Sequence, residues 1–472
     1  MSEFEFRMKD YELEGTIAAL ATFPSKSALG VIKISGRKAL EIASKIFTPR
    51  KKKNIRKAKT FTLHYGWVVD KPNAKGAKAA LVDEVLVSIM RAPASYTKED
   101  VVEISSHGGP AVLNKILELI LKQGARLALP GEFTYRALVK GRIDLLQAES
   151  ILGIIEAKTE KSLELAASQL KGQASQKLKA LKEELKSLFI QSEALINFPE
   201  DDVNISLMDF KKRIKILSAK IAGLIEGSKE AKAFQEGVRC VICGKTNAGK
   251  STLFNRLLKE ERVIVSKVSG TTRDVIEETI NIKGVPLRIY DTAGILAPKD
   301  IIAKKALEKT SQAFEQADLV ILVLDSSRPL NKDDLFLLNK VKEKNSILVL
   351  NKTDLEQKIN LKAAPKTAAK IVKISALKSG NLKKLEEAVH NNIHRSGVDR
   401  ESIIFLNQCQ RQILQNLKIE VDKIQVFLKE GCTIDFVNLA LKNCVDSLAR
   451  LTGEVFSEEI LESIFSNFCI GK

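Results

Sequence analysis

Cysteine and long apolar runs are scarce in this sequence, and each shortage excludes a class of protein. The six cysteines among 472 residues are too few for a disulfide framework, which suits a reducing compartment. No apolar run approaches the roughly 20 residues that a membrane helix needs. The chain begins Met1-Ser-Glu-Phe-Glu5, which is acidic where a secretion signal is basic. We therefore expect a cytoplasmic protein without a membrane segment.

The chain has enough length and apolar content for several folded domains. Hydrophobic residues make up 44% of the sequence and aromatic residues 5%, a composition that excludes a disordered chain. A length of 472 residues exceeds what one core usually organises. Lysine and arginine number 76 against 58 aspartate and glutamate residues, which gives a formal net charge of +18. This excess favours a polyanionic partner.

Three patterns follow one another along the chain. Residues 1–138 mix strand-like runs with short helical stretches, which predicts an α+β domain. Residues 139–234 and 397–472 carry long amphipathic helical patterns, whereas residues 235–396 alternate buried strands with helices, as in a parallel sheet wrapped by helices. Because the termini of a domain usually lie close together, we predict that this α/β module is inserted into one discontinuous helical domain.

A phosphate-binding loop follows the first strand of the α/β module. Gly244-Lys-Thr-Asn-Ala-Gly249 is followed directly by Lys250 and Ser251. With this spacing, backbone N–H groups and the N-terminus of a helix can hold phosphates. Lys250 is expected to reach the β and γ phosphates, and the Ser251 hydroxyl to coordinate Mg²⁺.

Three further motifs indicate that the nucleotide is GTP. Asp291–Gly294 follows a strand and brings a carboxylate toward the Mg²⁺ shell. Asn351–Asp354 closes another strand, and the Asp354 carboxylate can accept two hydrogen bonds that guanine donates and adenine cannot. Ser375–Leu377 can offer a backbone N–H to guanine O6. The four motifs occur in the order expected of a GTPase, which favours GTP over ATP.

The source of hydrolytic catalysis stays open at this point. In Ras-like proteins a Gln after the Asp-x-x-Gly motif orients the attacking water, and here that position is Ile295. Asn247, inside the phosphate loop, offers a neutral oxygen that suits a monovalent cation. Alternatively, Asn247 only braces the loop.

Together these residues resemble one family, the tRNA modification GTPases called MnmE or TrmE. The matching motifs are Asn247–Ser251, Gly270-Thr-Thr-Arg-Asp274, Asp291–Gly294, Asn351–Asp354, the terminal Phe468-Cys-Ile-Gly-Lys472 and, in the first domain, His107-Gly-Gly-Pro110 and Pro130-Gly-Glu-Phe133. The resemblance spans essentially the whole chain. The terminal motif discriminates best, because many GTPases share the nucleotide motifs.

The resemblance implies a homodimer of three domains and a reaction on tRNA. Residues 1–138 would form a folate-binding and dimerisation domain, 139–234 and 397–472 a helical domain, and 235–396 a Ras-like G domain. The reaction would add an aminomethyl or carboxymethylaminomethyl group at C5 of the wobble uridine. The implied partner is MnmG (GidA), an FAD protein that forms a hetero-oligomer with it, and a tetrahydrofolate derivative (5,10-methylene or 5-formyl) would supply one carbon.

The resemblance also implies K⁺-stimulated GTP hydrolysis driven by dimerisation of the G domains. The predicted GTP-binding residues are Asn247, Ala248, Gly249, Lys250, Ser251, Thr252, Ser266, Lys267, Val268, Ser269, Gly270, Thr271, Thr272, Asp291, Thr292, Ala293, Gly294, Asn351, Lys352, Asp354, Ser375, Ala376 and Leu377. The metal ligands implied are Ser251 and Thr272 for Mg²⁺, and Asn247, Thr271 and the backbone carbonyls of Ser266 and Val268 for K⁺.

Two candidate catalytic positions depend on the resemblance. The family's catalytic Glu stands twelve residues after the Asp of Asp-x-x-Gly, which here is Ala303. We therefore expect weak hydrolysis with intact GTP binding, unless the neighbouring Asp300 substitutes. Cys469 corresponds to the family's proposed catalytic cysteine, and the alternative is an inert small hydrophobic residue.

Four residues match the family's folate-binding positions: Lys33, Glu103, Arg142 and Lys472. Glu103 could accept hydrogen bonds from the amide and amine of the pterin, and the basic groups could meet the glutamate tail. Lys33 stands where the family commonly has Arg, so bidentate geometry is lost there.

The run Arg50–Lys59 holds seven basic residues in ten. It is either a solvated loop or a contact for nucleic acid. Trp67 and the phenylalanines show no interleaving with basic residues, so we expect any tRNA contact to depend mainly on charge. Cys240 and Cys243 have the spacing of a zinc or redox pair, but they fall on opposite faces of a strand, which predicts two buried core residues.

Two other functions share the nucleotide motifs. The first is a ribosome-assembly GTPase, which would also share the positive charge. The second is a signalling switch that catalyses no modification, an alternative that Ala303 favours because it stands at the position of the family's catalytic Glu. The terminal Cys-Ile-Gly-Lys motif and the folate-like first domain favour the tRNA-modifying GTPase over both.

Overall fold

The chain forms two compact units. One comprises Met1–Leu152, Leu170–Asn204 and Asn407–Lys472, and the other Gly153–Gln169 and Ile205–Leu406. The computed structural model describes residues 11, 13–51, 54–70, 79–197, 207–261, 277–291, 314–361, 364–365, 369–393, 402–455, 461, 464–465 and 468–472. No helix within these ranges is both long and apolar enough to cross a membrane. The boundaries of the three domains stay a prediction.

Within the described part of the first unit, seven strands form one sheet. They are β1 (Ile17–Leu20), β2 (Ser27–Ser35), β3 (Phe47–Pro49), β4 (Thr62–Asp70), β5 (Ala80–Met90), β6 (Val101–Gly108) and β7 (Arg126–Leu127). Their spatial order is β3-β4-β5-β6-β2-β1-β7. Neighbours are antiparallel except β1 and β7, which are parallel.

Apolar side chains alternate along the strands, so they lie on one face of this sheet, and helices cover that face. Apolar residues at every second position of β2, β5 and β6 pack with helices α1 (Ala39–Ile46) and α2 (Pro110–Lys122). Gly30 lies on this face, and a Cβ atom there would stand 2.5 Å from the Leu113 side chain of α2. A third helix, α3 (Glu132–Val139), follows β7. Phe133 of α3 packs against Ile17 and Ala19 of β1, so α3 covers part of the other face.

The remaining helices of the first unit come from both sides of the α/β module. They are α4 (Leu145–Glu156), which continues into the second unit, α6 (Gln173–Asn197), α11 (Gln408–Glu430) and α12 (Ile434–Thr452). Helix α12 packs against both α6 and α11. Asn407 and Gln410 form a capping box at the start of α11, and Gly431 with φ of +72° ends it. Helices far apart in sequence therefore share one bundle.

Six strands form the sheet in the described part of the second unit. They are β8 (Val238–Cys243), β9 (Glu277–Ile282), β10 (Val285–Asp291), β11 (Leu319–Asp325), β12 (Ser346–Asn351) and β13 (Lys370–Lys373), in the order β13-β12-β11-β8-β10-β9. The accompanying helices are α5 (Glu160–Leu170), α7 (Leu207–Glu236), α8 (Lys250–Glu261), α9 (Lys332–Val341) and α10 (Leu382–Ile393).

The sheet is parallel as predicted except at one edge. Strand β9 runs antiparallel to β10, with Ile282 opposite Val285. The two intervening residues, Lys283 and Gly284, both have positive φ, at +50° and +93°. A two-residue turn of this kind makes a hairpin, whereas a parallel pair needs a long crossover. The five strands named from the sequence all pair in parallel, and β9 adds an antiparallel edge strand that the sequence analysis did not name.

Cys240 and Cys243 lie in the two opposite cores of this sheet. Cys240 packs in one apolar cluster and Cys243 in the other, and both are fully buried. Burial raises the pKa of both thiols, that of Cys243 to about 12. Their predicted burial on opposite faces is confirmed.

Candidate functional site

The phosphate loop runs from the end of β8 to the start of α8, and its two glycines are sterically required. Gly244 has φ of +147° and Gly249 of +95°. A Cβ atom on Gly244 would stand 2.3 Å from the Val323 carbonyl oxygen, and one on Gly249 would stand 2.1 Å from Asn351 Nδ2. Because a side chain cannot fit at either position, the loop keeps its backbone exposed in a tight curve. Such a cradle fits a phosphate chain.

The residues predicted to meet phosphate and Mg²⁺ lie at the start of α8. Lys250 Nζ donates to the Lys245 carbonyl oxygen at 2.9 Å, so its amine lies over the loop. Ser251 and Thr252 are exposed at the helix N-terminus, where backbone N–H groups favour anions. Asp291 ends β10 opposite Ile242 of β8, so the backbone of the Asp-x-x-Gly motif starts at the same sheet edge.

Asn247 is exposed and has φ of +66°. Asn tolerates this left-handed conformation better than most residues. Several predicted positions lie outside the described residues, namely Ser266, Lys267, Val268, Ser269, Gly270, Thr271, Thr272, Thr292, Ala293, Gly294, Asp300 and Ala303. Of the implied cation ligands, the structure therefore describes the side chains of Asn247 and Ser251.

Asn351 joins the phosphate loop to the guanine motifs. It is buried at the end of β12, with 2% of its surface exposed. Its Nδ2 donates to the Ala248 carbonyl oxygen at 2.8 Å, and its Oδ1 accepts from the Ala376 N–H at 2.9 Å. One side chain thus sets the spacing between three motifs that are far apart in sequence.

Asp354 is prepared to accept hydrogen bonds from a base. The Ser375 hydroxyl donates to Asp354 Oδ1 at 2.6 Å. This hydrogen bond is the main reason that the pKa of Asp354 lies below its ordinary value. The ionised carboxylate therefore persists at neutral pH. Next to it, Leu377 is exposed, and its carbonyl oxygen accepts from Arg256 Nη2 at 3.0 Å.

Sequence reasoning missed two residues of this site, Asp325 and Ser326. Asp325 ends β11 directly opposite Asn351, and its Oδ2 lies 2.6 Å from Lys352 Nζ. Burial would raise the pKa of Asp325, but the bonds from Lys352 and Ser327 lower it below the ordinary value. The Ser326 hydroxyl donates to the Asn351 carbonyl oxygen. The available signal was position, since Asp325 is the first polar residue after the buried run Leu319–Leu324.

The four predicted folate-binding residues converge in the first unit. Lys33 of β2 stands opposite Glu103 of β6, with Nζ 3.6 Å from Oε1. Burial lowers the pKa of Lys33, against the opposing effect of Glu103, and the charge of Lys472 lowers it further. Arg142 lies with its guanidinium carbon 4.6 Å from the centre of the Tyr96 ring.

Two aromatic residues complete this niche. Lys33 Nζ lies 5.4 Å from the ring centres of both Tyr96 and Phe133. Tyr96 bonds through its hydroxyl to the Thr134 hydroxyl at 2.9 Å. Phe133 belongs to the Pro130–Phe133 motif noted in the sequence, whereas Tyr96 carried no local signal. Tyr96 joins the niche because the loop between β5 and β6 brings its ring close to Lys33 of β2.

The C-terminal segment lies against the loop before α3. The Gly131 N–H donates to the Cys469 carbonyl oxygen at 3.3 Å, and the Phe133 N–H to the Lys472 carbonyl oxygen at 3.1 Å. Gly471 packs so closely that a Cβ atom would stand 2.3 Å from the Leu20 carbonyl oxygen. Cys469 itself is exposed. The terminal motif is thus held by its backbone beside the candidate folate niche.

A largely buried network of ion pairs stabilises the loop before α3. Arg136 of α3 is wholly buried and lies 2.9 Å from Glu132 and 3.0 Å from Glu99. Arg126 extends the network at Glu132 (2.6 Å) and Lys140 at Glu99 (2.6 Å). Glu132 also accepts the Leu129 N–H at 3.0 Å. Three cations therefore surround two carboxylates and fix the start of α3.

The basic run contributes a charged surface in the first unit. Arg50, Lys51, Arg56, Lys57 and Lys59 are exposed, and Lys52 and Lys53 lie outside the described residues. Arg91 holds the run to the end of β5, through bonds from its side chain to the Arg56 and Ala58 carbonyl oxygens. The Arg50 guanidinium carbon lies 5.6 Å from the Tyr65 ring centre, so one basic side chain of the run contacts an aromatic ring.

Comparison with known proteins gives matches over nearly the whole chain. A model described as the GTP-binding protein TrmE N-terminus matches residues 16–142, and one described as the MnmE helical domain matches residues 145–469. The tRNA modification GTPase MnmE of Thermoanaerobacter pseudethanolicus is 42% identical over 97% of this chain and 99% of its own length. That of Clostridioides difficile is 40% identical over 98% of this chain and 100% of its own.

The solved structures that match cover a smaller part. A crystal structure of an Aquifex aeolicus Era variant bound to GDP and AlF4⁻ is 28% identical, covers 39% of this chain and 65% of its own, and has a TM-score of 0.28. A TM-score this low supports no functional comparison.

Proposed function

The chain belongs to the family of tRNA modification GTPases called MnmE, and on this premise we propose that it is the GTP-hydrolysing component of wobble-uridine modification. With the FAD-dependent protein MnmG it would add an aminomethyl or carboxymethylaminomethyl group at C5 of that uridine, in the cytoplasm. The observation that carries this proposal is the convergence of Lys33, Glu103, Arg142 and Lys472 in a chain that also holds a GTP site.

The residues of the first-unit niche fit a folate. Tyr96 and Phe133 each offer an aromatic ring 5.4 Å from Lys33 Nζ, and Glu103 offers a carboxylate to a donor edge such as that of a pterin. Arg142 and Lys472 supply positive charge that suits the carboxylates of a glutamate tail. When bound, a tetrahydrofolate derivative would supply the one-carbon unit. Cys469, in the adjoining segment, would take part at that site.

The residues of the second unit fit GTP with its cations. Ser251 and Thr272 would hold Mg²⁺, and Asn247 with Ser266, Val268 and Thr271 would hold K⁺, whose charge would offset the charge that develops between phosphates. The described support for this set is the loop cradle and the exposed Ser251 and Asn247 side chains. Ala303 in place of a catalytic glutamate makes slow hydrolysis the expected behaviour of the G domain.

A partly uncovered sheet face supports the proposed homodimer. Helices α1 and α2 cover one face of the first-unit sheet. On the other face, Leu29, Leu63 and Leu86 are exposed by 66%, 61% and 40%. Leu63 and Leu86 lie on the adjacent strands β4 and β5, and Leu29 lies on β2 beyond β6; exposed apolar residues of this kind mark protein interfaces. A second copy of this chain is the occupant we propose, because a symmetric pair buries the same surface on both partners.

Mass spectrometry of tRNA nucleosides tests the function. A strain that lacks this gene is complemented with the wild type, with Lys250→Ala, with Lys33→Ala or with the control Lys38→Ala, an exposed lysine of the same unit. We expect the wild type and the control to restore the C5 substituent, and the other two to leave unmodified uridine. Normal wobble modification in the deletion strain would contradict the proposal.

Binding of 5-formyltetrahydrofolate to the purified protein separates this function from a ribosome-assembly GTPase. Calorimetric titration is expected to show binding to the wild type and to Lys38→Ala, and weaker binding to Lys33→Ala. A wild type that binds GTP but no folate would favour the ribosome-assembly alternative.

A further inference from the structure

The turn that carries the guanine motif contains a strained residue. Lys352 has φ of +64°, the left-handed region that a long side chain adopts only when the surroundings impose it. It lies between Asn351, which is fixed to the phosphate loop, and Asp354, which is placed to meet the base. The backbone of Lys352 therefore lies on the path that connects the phosphate loop to Asp354.

The side chain of Lys352 is held by one short ion pair. Its Nζ lies 2.6 Å from Asp325 Oδ2, and the two side chains are 29% and 15% exposed. Asp325 is fixed in turn, since its Oδ1 accepts from the Ser327 N–H at 3.0 Å and from the Ser327 hydroxyl at 2.6 Å. The carboxylate is thus an oriented anchor, and partial burial strengthens its attraction for the ammonium group.

The rest of the turn is restrained by other bonds. The Ser326 N–H donates to the Asn351 carbonyl oxygen at 3.0 Å, and the Thr353 N–H to the Ile374 carbonyl oxygen at 3.1 Å. These bonds hold the backbone on both sides of Lys352. They do not depend on the charge at residue 325, so removing that charge releases Lys352 while the ends of the turn stay in place.

We propose that Asp325 is a positioning residue for guanine recognition: by anchoring the Lys352 ammonium group, it holds the Asn351–Asp354 turn in the form that presents the Asp354 carboxylate to the base. Asp325 acts through Lys352 and needs no contact with the nucleotide. The phosphate loop is tied to Asn351 by a separate bond, so loss of the Asp325 charge impairs reading of the base more than binding of the phosphates.

The ratio of GDP to IDP affinity tests this proposal, because a residue with only a structural role would change both affinities equally. Guanine offers Asp354 both N1–H and an exocyclic amine, whereas hypoxanthine offers N1–H alone. Asp325→Asn is expected to weaken GDP binding about tenfold, the effect of losing a hydrogen bond to a charged group, and to weaken IDP binding less. The ratio of GDP to IDP affinity then falls. Asp325→Glu keeps the charge and restores much of the ratio.

The other end of the same strand supplies a matched control. Asp318 directly precedes β11 and pairs with Arg239 at 3.1 Å, with no part in the nucleotide site. Competition of GDP and IDP against a fluorescent GDP analogue is measured on the full-length chain for the wild type, Asp325→Asn, Asp325→Glu and Asp318→Asn. We expect Asp318→Asn to match the wild type. Equal losses for GDP and IDP in Asp325→Asn, or no loss, would overturn the proposal.

A double-mutant cycle tests whether the pair acts as one unit. Lys352→Gln and Asp325→Asn are each expected to lower GDP affinity, and the double variant to lose little more than either one. Fully additive losses would overturn the role of the pair. The inference rests on the guanine-nucleotide site assigned above. A wild type that fails to bind GDP would contradict that assignment, whereas unchanged selectivity in Asp325→Asn contradicts only the role of Asp325.

Discussion

At the scale of single residues, the amide of Asn351 illustrates how this protein couples its motifs. It donates to the Ala248 carbonyl oxygen and accepts from the Ala376 N–H. Both bonds are buried, where an unpaired partner would be costly. The phosphate loop and the base-binding turns therefore hold a fixed distance before any nucleotide binds.

Ala303 is the residue at which the expected chemistry of this chain departs from its family. The change Ala303→Glu is expected to raise K⁺-stimulated GTP turnover roughly a hundredfold, because a carboxylate can orient the attacking water and an alanine methyl cannot. Phosphate release measured with and without K⁺ checks this, with Ala303→Leu as the control. If the wild type already turns over rapidly and Asp300→Ala abolishes the rate, Asp300 performs the task instead.

Glu149 of α4 is a half-buried acid whose charge opposes folding. Its Oε1 accepts from Asn407 Nδ2 at 2.6 Å, and within the described part of the chain its buried Oε2 has no hydrogen-bond partner. Burial raises its pKa to about 8, although Gln410, Asn407 and Arg411 act to lower it. Since the unfolded chain releases this proton near pH 4.3, stability is lost as pH rises between these two values.

Glu149→Gln is therefore expected to melt several degrees higher than the wild type at pH 8.5. At pH 4, below both pKa values, the two proteins are expected to melt nearly together, because the wild-type carboxyl is then mostly protonated in both the folded and the unfolded state. Thermal unfolding followed by circular dichroism at both pH values measures this. The exposed Glu430→Gln serves as the control and should change neither melting temperature. A gain for Glu149→Gln that is equal at both pH values would count against this account.

At the scale of elements, α3 depends on charges that are buried beneath it. Arg136 satisfies Glu132 and Glu99 together, while Arg126 and Lys140 complete the pairs. Burial by itself would raise the pKa of Glu99, but Lys140, Ser35 and Arg136 outweigh it and lower that pKa. The contribution of Glu99 to stability is therefore present above its unfolded-state pKa and is lost as pH falls through the lower folded-state value.

Arg136→Leu is expected to destabilise the first unit by about 3–5 kcal/mol, because it leaves two buried carboxylates without their shared cation. Lys45→Leu, which breaks the exposed pair with Glu41 in the same unit, is expected to cost far less. Chemical denaturation monitored by tryptophan fluorescence compares them, since Trp67 lies in β4 of the first unit. Similar losses for the two variants would show that the network is not buried as described.

At the scale of the whole molecule, the apolar sheet face is expected to make the homodimer. Leu63→Lys and Leu86→Lys place charges on that face and should shift the protein to monomers in sedimentation velocity. Leu439→Lys, a leucine of α12 that is 60% exposed, should stay dimeric. Monomers in the wild type, or dimers in both face variants, would exclude this interface.

The net charge of +18 is also a property of the whole molecule, and we expect it to act on tRNA binding. Lowering ionic strength is expected to tighten tRNA binding steeply while barely moving GTP affinity, because only tRNA binding releases many counterions. The double variant Lys57→Gln/Lys59→Gln should reduce the slope of log Kd for tRNA against log salt concentration by up to about 2. The control double variant Lys429→Gln/Lys442→Gln, which changes two exposed lysines far from the basic run in sequence, should leave this slope unchanged. Anisotropy titrations over a salt series measure both slopes, and equal slopes for tRNA and GTP would contradict this division of the charge.

The sequence by itself determined the parts of this protein that depend on local spacing. Gly244 to Ser251 specified a strand, a tight loop and a helix, and each appears where predicted because neighbouring residues fix backbone geometry directly. The buried runs of the α/β module likewise became strands β8 and β10 to β13. The order of the four nucleotide motifs sufficed to indicate GTP.

Only the tertiary structure decided which distant residues meet. Asp325 reaches Lys352 because β11 and β12 lie side by side in register, and Tyr96 reaches Lys33 because a loop folds against β2. The terminal Cys469 segment bonds to Gly131, more than 300 residues earlier in the chain. Such contacts depend on the packing of whole elements, and no spacing within a short window encodes them.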